Sequence, residues 1–344
     1  MLFQTFDDKK NCSIVYAKNK LYFNDFPKDL TKTWSYAESL KDKENVEYAQ
    51  IFCEGKTLDE ICPPHLQDEW EKVKSRLIAC QRACKEAQLD LHDHCFYDML
   101  PRFFLEELAQ IKNKMCNFIF SNYKKPARYD STLDLVKIIT EIKNTKLNVD
   151  YSELNGHLHE FKVRQFVTNN KKGMPYIDYN PFKTKTGRLA TRSNSFPILT
   201  MDKAYRKILK PNNDWFMEFD FNAAELRVLL GLLEKEQPQE DIHEWNAKNV
   251  YSGRVTREEA KKRIFAWLYN PKSKDYLSNK TYDRDSVVQK YYNGDQVSTF
   301  FTRTIKADEH HALNYILQST AADLFFKQMN KVWKLLKNRK SKIV

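Results

Sequence analysis

The sequence predicts a multidomain α+β protein. Three observations carry that expectation. At 344 residues the chain exceeds what one hydrophobic core usually holds, so two or three subdomains follow from length. From Pro63 to about Leu147, apolar residues recur at helical spacing with few breakers. From Gly173 the grain changes to short, turn-rich segments.

Taken in order, residues 1–60 offer one readable element. "CSIVYAKNKLYF" predicts a β-hairpin turning at Lys18-Asn19-Lys20. "PPHLQDEWEKVKSRLIACQRACKEAQLDL" opens on prolines and runs on without a breaker, as a helix does. "PRFFLEELAQIKNKMCNFIFSNY" and "STLDLVKIITEIKNTKL" are two further helices, joined by the loop "YKKPARYD". Beyond Gly173, "GMPYIDYNPFKTKTGRLATRSNSFP" reads as turns and short strands. "WFMEFDFNAAELRVLLGLLE" reads as an apolar strand closing on Asp220, then a helix. "TREEAKKRIFAWLYN" is a helix stopped by Pro271, and the polar stretch from Lys272 to Asp285 is expected to loop. One helix from about Asp308 to Lys337 closes the pattern, and no internal repeat appears.

Composition narrows the function. With 42% hydrophobic and 30% charged residues, the balance is that of an ordinary soluble protein. No apolar run approaches the roughly 20 residues that span a bilayer, so no membrane partner is expected. The N-terminus has acids early and no apolar core, unlike a signal peptide. The 7 cysteines form no CxxC and are expected to be reduced thiols in a cytoplasmic setting. Cys80, Cys84, His92, His94 and Cys95 lack zinc-site spacing and are expected to pack as ordinary side chains.

Net charge is +11, and it is concentrated. Phe161 to Lys210 holds 12 Lys and Arg against two acids, Asp178 and Asp202. A strip of this kind suits a polyanion, or is a solvated basic face. Phe166, Asn169, Asn170, Tyr176, Tyr179 and Asn180 are interleaved with the charge, which favours nucleic acid. Only 7 glycines are present, and none forms a phosphate-cradling loop. A bound nucleotide would therefore be held by side-chain cations and metal.

Four constellations could carry chemistry. Asp220 lies where a strand gives way to a helix, and could either serve a site or cap the helix. Arg257, Lys261, Phe265 and Tyr269 recur every four residues. Four residues advance about 400°, so they form one stripe along three turns. Cations followed by aromatics suit a triphosphate and a base, or an amphipathic helix with an aromatic core end. Asn314 and Gln318 share a helical face and can both donate and accept, as minor-groove reading requires. Arg188 lies in a turn within the basic strip.

Together these pieces resemble the polymerase core of family A DNA polymerases, the group of bacterial DNA polymerase I and many phage replicases. "FDFNAAELRVLLGL" resembles that family's motif A, and Asp241–His243 a tripeptide between motif A and the fingers. The Arg257/Lys261/Phe265/Tyr269 stripe resembles motif B. "TGRL" and "NYILQSTAADLF" resemble the two segments lining the primer–template minor groove. Five motifs in order, over roughly Thr184 to Met329, make the likeness specific.

The resemblance implies a right-hand polymerase core with a helical thumb, helical fingers and an incomplete antiparallel-sheet palm. Residues 61–165 would be thumb-like, 166–240 part of the palm with the DNA-contacting strip, 241–300 the fingers, and 301–344 a palm helix. Residues 1–60 have no assigned role. Asp42-Lys-Glu44 has the Asp-x-Glu form of a proofreading exonuclease but lies in a very polar segment, so no such domain is expected.

By the same resemblance, Asp220 and the carbonyl of Phe221 would ligate two Mg²⁺ ions. Glu225 would exclude ribonucleotides, with Tyr269 as its hydrogen-bond partner. His243, Arg257 and Lys261 would hold phosphates, Lys261 with a catalytic role, and Phe265 would pack on the incoming dNTP. Arg188, Asn314, Gln318 and His310 would contact primer–template DNA. Departures from the pattern are Ala266 for a usual glycine, Asn270-Pro271 after Tyr269, and His310 for a usual arginine.

The family's second catalytic aspartate, in a His-Asp motif after the last helix, has no counterpart before Val344. The one His-Asp pair, His92-Asp93, is misplaced in order. The chain is therefore expected to be a fragment, or one half of a split, viral polymerase acting in the host cytoplasm, with a second polypeptide completing the palm. Two alternatives remain: a single-subunit RNA polymerase relative, and a non-catalytic nucleic-acid-binding remnant.

Overall fold

The computed structural model describes residues 1–9, 12–23, 26–89, 94–171, 175–193 and 195–344. His92 and Asp93 lie outside the described residues. The described chain mixes helix with short strands around three apolar cores.

The N-terminal sheet is an antiparallel meander of β1 (Phe3–Lys9), β2 (Cys12–Ala17) and β3 (Lys20–Phe23). Lys18 and Asn19 join β2 to β3 with φ of 50° and 59°. Two positive values in succession match the right-handed twist of a tight hairpin, so the predicted turn falls where expected. β4 (Lys32–Thr33) pairs in parallel with β5 (Glu47–Tyr48), which leads into α1 (Ala49–Phe52) and α2 (Leu58–Ile61).

The predicted long helices follow as α3 (Gln67–Glu86), α4 (Arg102–Asn122) and α5 (Tyr129–Lys143). On α4, Phe104, Leu108, Ile111, Met115 and Ile119 fall at steps of three and four and are all buried. They meet Phe3, Val15 and Ala17 of the sheet, so the first core runs from Phe3 to Tyr129. Tyr129 fastens its edge by accepting a 2.9 Å hydrogen bond from the backbone N–H of Tyr48.

The second core is built from Leu135, Ile138 and Ile142 of α5. Val163 of α6 (Phe161–Lys171) and Tyr179 of β7 (Tyr179–Asn180) pack on it. β6 (Asn148–Val149) pairs antiparallel with β9 (Leu209–Lys210), and β7 with β8 (Ala190–Thr191). Here the interleaved aromatics of the basic strip divide differently from expectation. Tyr179 is buried, and Phe166 packs against Tyr205 with ring centroids 5.3 Å apart. Their apolar area is better satisfied in the core, while Lys162, Arg164, Lys183, Lys185, Arg188 and Arg192 remain exposed.

The third core gathers α7 (Ala224–Leu232), α8 (Ile242–Trp245), a π-helical turn at Asn246–Val250, and α9 (Arg257–Tyr269). Thr256 and Glu259 form a reciprocal capping box that starts α9 where the sequence places it. The polar stretch after Pro271 does not loop as expected. It forms α10 (Tyr276–Tyr282) and α11 (Arg284–Tyr291). Asp275 and Asp283 cap the two helices, accepting from the N–H groups of Ser278 and Ser286. Arg284 explains the rest. Its buried guanidinium donates to the carbonyls of Trp267, Asn270, Pro271 and Ser273, filling the open end of α9.

β10 (Gln296–Ser298) and β11 (Thr304–Lys306) form a hairpin before α12 (Glu309–Leu336). α12 is shared. Leu313, Ile316 and Leu317 enter the third core, while Phe326, Met329 and Trp333 pack against the second. Between these groups, buried Asp323 accepts from Arg128, just before α5, and from Arg303 at 2.7 Å.

Among the described residues no helix is long and apolar enough to cross a membrane. Cys53, Cys62, Cys80, Cys84 and Cys116 are free thiols, but Cys95 is disulfide-bonded. That corrects the expectation of reduced thiols throughout, because sequence spacing does not encode which cysteine the fold brings beside another.

Candidate active site

Asp220 sits at the end of a segment with no sheet partner. After β9, residues 211–221 form no strand. Trp215, Met217 and Phe219 are 84%, 77% and 77% exposed. The predicted strand is absent because a strand exists through its ladder, and no described residue supplies one here. Asn213 donates to the carbonyl of Lys340 at 2.9 Å, which holds the segment beside the last residues of the chain.

Asp220 does not cap the helix that follows it. The N-cap of α7 is Ala223, at φ 49° and ψ 54°, with no side-chain capping bond. Asp220 is exposed, and among the described residues no hydrogen bond or ion pair engages its carboxylate. A left-handed alanine costs about 1 kcal/mol, so the turn after Phe221 is strained in a way glycine would not be. Asn222 carries the compensation. It donates to Asp241 at 2.8 Å and accepts from the N–H of Ile242 at 3.1 Å and from Arg227 at 3.2 Å.

Glu225 lies in the first turn of α7, where its charge suits the helix dipole. It pairs with Arg188 and not with Tyr269, the partner the resemblance implies. Burial pushes its carboxyl above the ordinary glutamate value, and the Arg188 guanidinium opposes that rise only in part. Arg188 stands on a turn closed by Gly187 N–H to Thr184 carbonyl at 3.1 Å. Gly187 has φ +79°, and a Cβ there would lie 2.3 Å from an Arg303 nitrogen. Only glycine lets this turn approach Arg303 so closely.

The helix α8 places His243. Asp241 caps it, accepting from the N–H groups of His243 at 2.9 Å and Glu244 at 3.0 Å. The imidazole is buried and lies 5.6 Å from Phe265, tilted by 55°. Burial pushes its pKa below the ordinary histidine value. Asp241 opposes that shift, while Arg257 and Lys261 add to it.

On α9 the predicted stripe is real. Phe265 and Tyr269 stack at 6.0 Å with planes 7° apart, and both pack partly into the third core. Lys261 is exposed. Arg257 is held by Asp241 at 2.9 Å and by exposed Glu258. His243 Nδ1 and Tyr269 Oη are buried without hydrogen-bond partners.

On α12, Asn314 and Gln318 are half-buried and His310 is exposed. The Asn314 side-chain oxygen is a further buried acceptor without a partner. Beside this face lies an open groove of about 320 Å³ lined by Lys185, Lys306, His311 and Tyr315 among others. Lys185 sits 6.0 Å above the Tyr315 ring.

Four segments distant in sequence are therefore joined by direct contacts. The Arg188 turn meets α7, the residue after Phe221 meets α8, and α8 meets α9 through Arg257 and Phe265. Sequence reasoning gave no role to Asn222, Asp241, Arg303 or Asp323. Asp241 entered the sequence reading only as the first residue of the Asp241–His243 tripeptide.

The donor set for two metal ions is incomplete here. Among the described residues no group of three or more His, Cys, Asp or Glu could hold a metal ion. Asp220 and the Phe221 carbonyl do not satisfy an octahedral Mg²⁺, still less two.

No family model matches the chain, and no curated protein matches it. Among solved structures, the POL domain of Pol1 from M. smegmatis, in complex with DNA primer–template and dNTP, is similar at TM-score 0.49 and 13% identity. The match covers 68% of this chain and spans 65% of the length of that one.

Proposed function

We propose that this chain is part of a DNA-directed DNA polymerase that adds dNTPs to a primer 3′-hydroxyl. The observation that carries the reading is the continuous set of contacts from Arg188 through Glu225, Asn222 and Asp241 to Arg257, His243 and Phe265. It gathers residue types that suit DNA backbone, sugar, triphosphate and base in one contact network, which reaches Asn222, two residues along the chain from Asp220.

In this reading the helices within residues 61–165 are the thumb and residues 166–240 part of the palm. Residues 241–300 are the fingers, and 301–344 the palm helix. Arg257 and Lys261 take the triphosphate. His243, neutral because it is buried, donates a hydrogen bond to a phosphate oxygen without adding charge. Phe265 supports the incoming base or sugar, and Glu225 bars the 2′-hydroxyl. Arg188, His310, Asn314 and Gln318 face the primer–template, with exposed cations of the basic strip along its backbone.

Asp220 and the Phe221 carbonyl form part of the donor set for two Mg²⁺ ions. A further carboxylate beside them would be needed to complete that set. The residues present bind, orient and neutralise charge.

The test uses the purified chain with a labelled primer–template. It should bind the duplex and, with the donor set present here, extend it negligibly. Failure to bind primer–template would overturn the reading, and robust Mg²⁺-dependent extension would overturn the account of the donor set.

A further inference from the structure

Asp241 receives five hydrogen bonds on one carboxylate. Its Oδ1 accepts from His243 N–H at 2.9 Å, Glu244 N–H at 3.0 Å and Arg257 Nε at 3.2 Å. Its Oδ2 accepts from Arg257 Nη2 at 2.9 Å and Asn222 Nδ2 at 2.8 Å. A capping residue needs only the first two of these. The other three join the fingers helix to the residue that follows Phe221.

We propose that Asp241 is a positioning residue that presents Arg257 to the phosphates of the incoming nucleotide and fixes it relative to the Asp220 segment. This rests on the polymerase reading and assigns Asp241 a role within it. The geometry explains how. Asp241 grips Arg257 side-on, along the Nε and Nη2 edge. A guanidinium has five N–H donors in a rigid fork, so a side-on clamp leaves the opposite edge to face a second anion. In this structure that edge, through Nη1, is occupied by Glu258, whose side chain is 64% exposed. An exposed carboxylate is a weak competitor, because water compensates it when it leaves. A phosphate oxygen can therefore replace Glu258 while Asp241 keeps its hold.

Asn222 gives the clamp a reference point. Its amide nitrogen donates to Asp241 and its oxygen accepts from the N–H of Ile242, so both ends of this one side chain are engaged by the α8 cap. Arg227 secures the same loop, donating to the carbonyls of Asn222, Pro238 and Glu240 at 2.8–2.9 Å. Movement of α9 relative to Asp220 must break this set. The Arg257 fork and the Asn222 turn that follows Asp220 are thus held in one frame before nucleotide arrives.

The capping role and the clamping role can be separated with one atom. In Asp241→Asn the Oδ1 position still caps α8, since Asn and Asp cap about equally well. The amide nitrogen replaces Oδ2 and meets Arg257 Nη2 and Asn222 Nδ2, donor against donor. The clamp is lost and the cap survives.

The experiment titrates dATP, and separately inorganic tripolyphosphate, into the chain bound to primer–template, by calorimetry. Asp241→Asn should weaken both about tenfold, the cost of one misplaced charge-assisted contact. Arg257→Ala should weaken both by a similar factor, and the double variant should lose little more than either alone. Affinity for primer–template should stay near that of the parent chain. Arg257→Lys should behave like Arg257→Ala, because lysine lacks the fork. The proposal is overturned if Asp241→Asn binds both ligands as the parent does. It is equally overturned if that variant loses thermal stability and DNA affinity in step with triphosphate, which marks a purely structural residue. If the parent chain binds primer–template but neither triphosphate, the polymerase reading fails with it, and that outcome is visible before any variant is made.

Discussion

Arg188 pairs with Glu225 across 37 residues of sequence, while Tyr269 Oη lies buried with no partner. The Glu225 carboxylate is therefore held by the turn that carries Arg188 and not by α9.

Glu225 should set sugar discrimination. If the proposed function holds, Glu225→Ala should reduce the preference for dNTP over rNTP by roughly a hundredfold, the upper range for a steric and polar exclusion of this kind. Single-nucleotide incorporation with matched dNTP and rNTP measures it. Unchanged discrimination would remove Glu225 from the sugar site.

Tyr269 offers a test on the isolated chain. A buried hydroxyl without a partner penalises the fold, so Tyr269→Phe should raise stability by about 1 kcal/mol. A denaturant midpoint moving downward would show that the hydroxyl is satisfied in solution.

Asp323 should be among the costliest polar positions. It is 3% exposed in its side chain and answers two guanidiniums, Arg128 and Arg303, from different parts of the chain. Asp323→Ala leaves both half-buried cations facing each other and should cost about 3–5 kcal/mol. Loss of cooperative unfolding, or a drop of that size by chemical denaturation, checks it.

His243 predicts a pH signature. Its folded pKa lies below its ordinary 6.5, because burial disfavours the imidazolium. The unfolded chain thus binds the proton more readily. The stability is fully present above about 6.5 and is lost as pH falls through the lower folded value, with a slope of at most about 1.4 kcal/mol per pH unit. Asp241, held low chiefly by Arg257, acts only below the ordinary aspartate range and does not confuse this window. His243→Gln should flatten the stability profile below pH 6.5.

Primer–template binding should be strongly salt-dependent. Lys183 and Lys185 are exposed on the basic strip. Replacing each by alanine should lower the slope of log K against log salt by about 0.9 and weaken all sequences alike.

How much of this was legible in advance differs from element to element. α3, α4, α5, α9 and α12 appear where periodicity, prolines and capping residues place them, because each of those signals acts within a few residues. The stripe from Arg257 to Tyr269 is likewise set by helical geometry alone. α10 and α11 escaped notice because their sequence is polar. Their order depends on capping aspartates and on Arg284, whose carbonyl partners come from the end of another helix.

The sequence by itself determined the order of the motifs, the concentration of positive charge and the helical frames that carry Arg257, Lys261, Phe265, Asn314 and Gln318. Tertiary structure alone decided that Arg188 and not Tyr269 engages Glu225, and that Asp241 binds the two sides of the site together. It also decided that the apolar residues before Asp220 stand in solvent. The reason is one of range. Helices and caps are fixed by neighbours in the chain, whereas an ion pair or a strand exists only if a distant segment arrives to complete it.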